Sequence, residues 1–243
     1  VPDAPLFALD TAGERCSLAL AHGGGLEQVL GEPGRTHLEH VMPMIAALFG
    51  RCRVRPADCA AFAFASGPGS FTGLRVACTI VQGLALGADR PVIAVGHLEA
   101  LAREAADTSD AYGTAGSPVR RILAAIDARL GQAYWAVYEV GPGGWEVLAA
   151  PAVEDAAQLA HRLAQWQPDI VATRRSWFLG HVPAAAADVR DLGVSARGIA
   201  RLARIRLARG ETLAPEQALP VYVRDRVAQT VAERRHSRAE RPA

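Results

Sequence analysis

The chain has 243 residues, which suits one large domain or two smaller ones, because single cores stop growing near about 250 residues. Half of the residues are hydrophobic, 21% are charged and the formal net charge is +1; this is the balance of a globular protein with a real core, and it excludes a strong whole-molecule field for nucleic acid. Every basic residue is Arg or His, which excludes a P-loop lysine, a Schiff-base lysine and a Ser-Lys dyad.

The first element, Leu6-Phe-Ala-Leu9, runs into Asp10-Thr-Ala-Gly13 and resumes at Cys16-Ser-Leu-Ala-Leu-Ala21. Strand, Asp-bearing turn and returning strand predict a β-hairpin, and Gly23-Gly-Gly25 marks a further turn. From His37, the residues Leu38, Val41, Met42, Ile45, Leu48 and Phe49 recur at helical spacing, predicting an amphipathic helix capped by Thr36 and kinked at Pro43. Ala60-Ala-Phe-Ala-Phe-Ala65 reads as a buried strand ended by a Gly-Pro-Gly turn. A helix from Thr72 to about Leu86, a strand at Pro91-Val-Ile-Ala-Val95 and a helix from about Leu98 to Ala106 follow. The polar segment from Asp107 to Pro118 is the best linker candidate and is expected to close a first lobe at residues 1–107.

The second half restarts in the same way, with Arg121-Ile-Leu-Ala-Ala-Ile126, the turn Asp127-Ala-Arg-Leu-Gly131 and the return Ala133-Tyr-Trp-Ala-Val-Tyr138. Beyond it lie a strand at Trp145-Glu-Val-Leu148, a helix near Asp155 to Trp166, a strand at Asp169-Ile-Val-Ala172 and a helix from Ser195 to Arg209 ended by Gly210. A second lobe is expected over 108–230, with its last elements returning to the first, and a disordered tail over 231–243. No apolar run reaches the roughly 18 residues of a bilayer span, and Val1-Pro-Asp-Ala-Pro5 lacks the pattern of a signal peptide. The expectation is a cytoplasmic protein with no membrane partner. Cys16, Cys52, Cys59 and Cys78 include no C-x-x-C pair, so reduced structural thiols are expected.

The duplicated hairpin resembles the opening of each lobe in the actin, sugar-kinase and chaperone-ATPase superfamily, where the hairpin tip holds phosphate. Leu9-Asp-Thr-Ala12, Ser66-Gly-Pro-Gly-Ser-Phe-Thr-Gly-Leu-Arg-Val76, Gln82-Gly-Leu-Ala-Leu-Gly87, Leu123-Ala-Ala-Ile-Asp-Ala-Arg129, Tyr134-Trp-Ala136 and Pro220-Val-Tyr-Val-Arg224 are together similar to the TsaB (YeaZ) family. The matches run in order over nearly the whole chain. The resemblance implies an α/β, two-lobed actin-like (ribonuclease H-like) fold with duplicated hairpin-led sheets flanked by helices. It also implies a non-catalytic scaffold that works with TsaD, the related catalytic subunit, and the ATPase TsaE. That machinery places a threonylcarbamoyl group on the adenosine beside the anticodon (t6A) in tRNAs reading codons that begin with A. Contact with tRNA would be indirect, through the complex, and the chain alone would form a homodimer.

In the family, the helix after the Gly-Pro-Gly turn and the His37 helix pack on the equivalent pair of TsaD. This implies a partner interface at His37, Leu38, Val41, Ile45, Thr72, Leu74, Arg75 and Val81. The turn has two readings of its own: an anion site on free N–H groups, or a tight strand-to-helix turn with Ser70 or Thr72 as cap, the second being favoured. Val95-Gly-His97-Leu-Glu-Ala-Leu101 resembles the place where TsaD carries His-x-x-x-His. Two His at i and i+4 share a helical face and can share a metal; here the second position is Leu101. Asp10, His97, Leu101 and Asp127 therefore read as a vestigial site, with no catalytic, metal or cofactor residues expected. His37 and His40 lack a third ligand and read as partner-facing. No G-x-S-x-G elbow is present, and the tail arginines Arg234, Arg235, Arg238 and Arg241 read as solvated. The alternative is a metal- or nucleotide-dependent enzyme of the glycoprotease and kinase superfamily.

Overall fold

The computed structural model describes residues 4–32, 37–107, 119–141, 144–182 and 187–224, with the side chains of 37–39 and 107 outside that description. The linker candidate at 108–118, the Thr36 cap and the 231–243 tail lie outside the described residues.

The first sheet contains β1 (Leu6–Asp10), β2 (Ser17–His22), β3 (Gly25–Leu30), β4 (Ala61–Gly67) and β5 (Val92–Gly96). The second contains β6 (Arg120–Arg129), β7 (Gln132–Gly141), β8 (Gly144–Asp155), β9 (Ile170–Thr173) and β10 (Asp188–Asp191). Their orders, β3-β2-β1-β4-β5 and β8-β7-β6-β9-β10, are the same path repeated. In each, an antiparallel three-stranded meander is extended by two parallel strands. This is the duplicated, two-lobed actin-like architecture.

The alternation Ala61-Phe-Ala-Phe-Ala65 shows how the first sheet is covered. Side chains in a strand point to opposite faces at period two. Phe62 and Phe64 join Phe7, Leu9, Leu18 and Leu20 on one face, against α1 (His37–Cys52) and α2 (Phe71–Ala88). Ala61, Ala63 and Ala65 join Leu6 and Ala8 on the other, against Ile199, Ala200, Leu202 and Ala203 of α6 (Ala196–Ala208). Large residues thus meet the two outer helices, while alanines leave room for α6 to lie close on the sheet. α3 (His97–Asp107) follows β5 in the chain, yet Leu98, Leu101, Ala102, Ala105 and Ala106 pack against Ile122, Ala124, Ala136 and Ala172 of the second sheet. α6 follows β10 and covers the first sheet, so each lobe carries the other's helix.

The lobes differ on their outer faces. α4 (Leu159–Trp166) stands where α1 stands in the first lobe, and α5 (Arg175–Leu179) has 5 residues where α2 has 18. Strands β3 and β10 and helix α5 were not expected from the sequence. Pro43 lies inside a helix that runs unbroken from His37 to Cys52. α2 corrects a further expectation: at mean hydropathy 1.4 over 18 residues it is long and apolar enough by composition to cross a bilayer. Here it is a core helix, with Leu74, Ala77, Cys78, Val81 and Ala85 buried on the sheet.

A Cβ at Gly73 would overlap the Thr11 carbonyl oxygen and come within 2.7 Å of the Ala12 Cα, whereas one at Gly83 meets nothing within 4 Å. Gly73→Ala is therefore expected to lower stability by about 2–3 kcal/mol through overpacking. Gly83→Ala, in the same helix, should raise it by about 0.5–1 kcal/mol through backbone entropy. Urea denaturation of both variants checks the contrast.

Candidate functional site

The segment from Ser66 to Arg75 links the end of β4 to the start of α2. Gly67 has φ +124° and lies under the Val221 carbonyl, and Gly69 faces the Ala12 carbonyl and the His97 ring, with room for no Cβ at either place. Ser70 caps α2 by accepting from the Gly73 N–H at 3.3 Å, and its own N–H donates to the Ala12 carbonyl at 3.0 Å. Thr11 Oγ1 donates to the Gly73 carbonyl at 2.7 Å. The glycines thus hold the first turn of α2 directly on the β1–β2 hairpin tip.

His97 locks this arrangement from the start of α3. It is 1% exposed, and its two ring nitrogens face Pro68 O at 2.6 Å and Asp10 Oδ1 at 3.0 Å. A carbonyl only accepts, so Nδ1 carries a proton. Asp10 Oδ1 already accepts from the N–H groups of Ala12 (2.8 Å) and Gly13 (3.2 Å), so Nε2 donates as well. When protonated, the ring donates from both nitrogens and pairs with the buried Asp10 side chain. Burial opposes that charge, but the Asp10 carboxylate, the hydrogen bond to it and the Pro68 carbonyl together hold His97 above its ordinary value.

The four residues read as vestigial therefore divide. Asp10 and His97 come together. Leu101 is 1% exposed and packs in the second lobe's core. Asp127 stands at the other hairpin, where Oδ1 accepts from the Arg129 N–H at 2.8 Å and Oδ2 lies 3.3 Å from the Arg129 guanidinium. Both Asp residues thus shape their own turns. Among the described residues no group of three or more His, Cys, Asp or Glu side chains converges on a metal position.

Between the lobes lies a cleft of about 880 Å³, bordered by the Gly13, Gly69 and Ser70 turns on one side and Asp127, Thr173 and Gly193 on the other. Several of its bordering side chains are already engaged within the chain. Asp10 Oδ1 is engaged by His97, and Oδ2 is sealed from solvent. The Arg174 guanidinium lies where a Cβ on Gly193 would be, and it reaches across to Glu14 at 3.1 Å. Both partners are substantially exposed, so this bridge contributes less than about 1 kcal/mol. Its effect is to put a guanidinium and its counter-charge in the cleft.

Val41, Ile45, Leu74 and Val81 are 1%, 4%, 1% and 0% exposed and belong to the first lobe's core. The opposite face is exposed, at Thr72, Arg75, Thr79, Gly83 and Leu86 of α2 and at Met42, Pro43, Ala46, Ala47 and Gly50 of α1. Thr72 and Arg75 are therefore available to a partner. The side chains of His37 and Leu38 fall outside the described residues, and His40 is exposed. The four cysteines are free; burial, with the Asp10 charge for Cys16 and the Asp58 charge for Cys59, pushes those two thiols up to about 12, which leaves them protonated and inert.

Because the folded chain holds the His97 proton more tightly than the unfolded chain, the pair's contribution is complete below about pH 6.5, the ordinary histidine value. It is lost as pH rises through the higher folded value. Urea unfolding from pH 5 to 9 should show stability falling over that window, and His97→Gln should lower stability at pH 6 and flatten the fall. Asp10→Asn, which leaves a buried imidazolium without its counter-charge, should cost about 3–5 kcal/mol at pH 6.

A family model described as TsaD, tRNA N6-adenosine threonylcarbamoyltransferase, matches residues 31–229. The chain is 34% identical over 229 residues to the tRNA threonylcarbamoyladenosine biosynthesis protein TsaB of Escherichia coli K12, covering 92% of this chain and 96% of that one. To the Bacillus subtilis 168 protein of the same name it is 30% identical over 139 residues, covering 57% and 56%. A solved Pseudomonas aeruginosa structure, described as similar to peptidase YEAZ, superposes with a TM-score of 0.77 at 34% identity, covering 91% of this chain and 100% of that one. The Escherichia coli and Pseudomonas aeruginosa matches, each spanning more than nine-tenths of both chains, show that the chain belongs to the TsaB (YeaZ) family of TsaD relatives.

Proposed function

We propose that this chain is the non-catalytic scaffold subunit that, with TsaD and TsaE, supports transfer of the threonylcarbamoyl group to the adenosine beside the anticodon in tRNAs reading codons that begin with A. It acts in the cytoplasm, pairs with a second copy when alone and meets tRNA through the assembled complex. The observation that carries the reading is the contrast between a closed centre and an open helix face. His97, the one remaining member of the His-x-x-x-His pattern, has both nitrogens engaged, and Leu101 is in the core. A ring committed in this way offers no lone pair to a metal or to a proton in transit. The outward face of α1 and α2, in contrast, carries Ala46, Ala47, Gly50, Gly83 and Gly87, all exposed. Small residues at those positions let a second pair of helices approach closely.

Reconstituted tRNA threonylcarbamoylation with TsaD and TsaE should lose its product when this chain is omitted. Gly83→Glu, on the outward face, should reduce product at least about tenfold, as expected for a charge placed in an interface centre, with a melting temperature no lower than that of the unmodified chain. Full activity without the chain would overturn the scaffold reading. Substantial zinc content or ATP heat in the isolated protein would favour an enzyme instead.

A further inference from the structure

Among the described residues eleven large apolar side chains are exposed, and six of them, Met42, Phe71, Leu86, Leu219, Val221 and Tyr222, lie on α1, α2 or the extended segment 213–224. This segment is a strap tied down along its length. Leu213 exchanges two backbone hydrogen bonds with Val92, at 2.9 and 2.8 Å. The Gln82 amide donates to the carbonyls of Pro215 (3.1 Å) and Ala218 (3.0 Å), and the Val221 N–H donates to Ser66 O at 2.7 Å. Ala218 is fully buried, which turns Leu219 outward at 67% exposure.

At the far end the strap is clasped to the first turn of α2. The Phe71 and Tyr222 rings lie 5.2 Å apart, the Arg75 guanidinium sits 3.9 Å above Phe71, and its Nε–H donates to the Tyr222 hydroxyl at 3.1 Å. The cation is thereby engaged within the chain. Across α2 and residues 213–224 the only charged residues are Arg75, Glu216 and Arg224, the last bonded to the Ala128 carbonyl and the Gln132 amide oxygen, in a protein that is 21% charged overall. Depletion of charge together with fixed aromatic anchors is the signature of an interface centre. An RNA partner would need free cations here, and the strap offers none.

We infer that the strap is the second part of the docking face, with Leu219 and Tyr222 packing on uncharged apolar side chains of the catalytic relative. The inference rests on the scaffold reading and extends it. The occupant follows from continuity and from fold: the strap borders the outward stripe of α2, and the TsaD model matches residues 31–229, which take in α1, α2 and the strap. A partner of the same fold therefore brings equivalent elements, and the two can meet about a pseudo-two-fold axis.

The test is the affinity of the full chain for TsaD, by calorimetry, in four variants. Leu219→Glu and Tyr222→Ala should each weaken binding at least about tenfold, as should Gly83→Glu. Leu130→Glu, at an 89% exposed position on the second lobe's hairpin, should bind as the unmodified chain does. Normal binding by Leu219→Glu alongside a defect in Gly83→Glu overturns the strap and leaves the helix face standing. Normal binding by Gly83→Glu, or no binding by the unmodified chain, overturns both. If Tyr222→Ala loses its fold, Leu219→Glu decides. A strap defect confined to self-association, or to salt-dependent binding of tRNA by the chain alone, also overturns the inference.

Discussion

The contact between His97 and Asp10 joins three parts of the chain that are remote in sequence. Asp10 ends the first strand, Pro68 sits in the glycine-rich turn and His97 opens α3. A buried charge pair of this kind is a weak source of net stability, because desolvation offsets much of the attraction. What it provides is position: with both ring nitrogens directed at acceptors, the turn, the hairpin tip and the start of α3 have one mutually satisfying arrangement. Thr11 and Gly73 then set α2 on that base. The outward stripe of α2, the strap beside it and the clasp at Arg75 all inherit their placement from it.

The same arrangement engages both nitrogens of the one imidazole in Val95-Gly-His97-Leu-Glu-Ala-Leu101, which faces a carboxylate and a carbonyl. Leu101 fills the second lobe's core. Side chains of the cleft are likewise engaged within the chain, where Asp127 is turned onto its own hairpin and Arg174 lies against Gly193.

Much of the fold was legible in the sequence because the duplicated strand, Asp turn and strand is a local signal, as is the alternation at 61–65. β3 was missed because Gly25-Leu-Glu-Gln-Val-Leu30 is a half-exposed edge strand without a strong period. α5 and β10 were missed because 5 and 4 residues are too short to show one. The site was harder. Periodicity identifies a helix's apolar stripe without saying whether sheet or partner lies against it, so Leu74 and Val81 read as shared between core and interface, and both are buried in the first lobe's core. The bond from His97 to Asp10 spans 87 positions, and Arg75 to Tyr222 spans 147. No local pattern records either.

The exchange of α3 and α6 between lobes carries a consequence for synthesis. The alanine face of the first sheet is complete once residue 95 has been made, but the helix that covers it is formed by residues 196–208. At ribosomal rates of about 5–20 residues per second, Leu6, Ala8, Ala63 and Ile93 wait several seconds for their covering helix. During that interval the emerging chain presents an uncovered sheet face to its surroundings. Order of translation, and not only final stability, therefore decides when the docking lobe becomes a finished object.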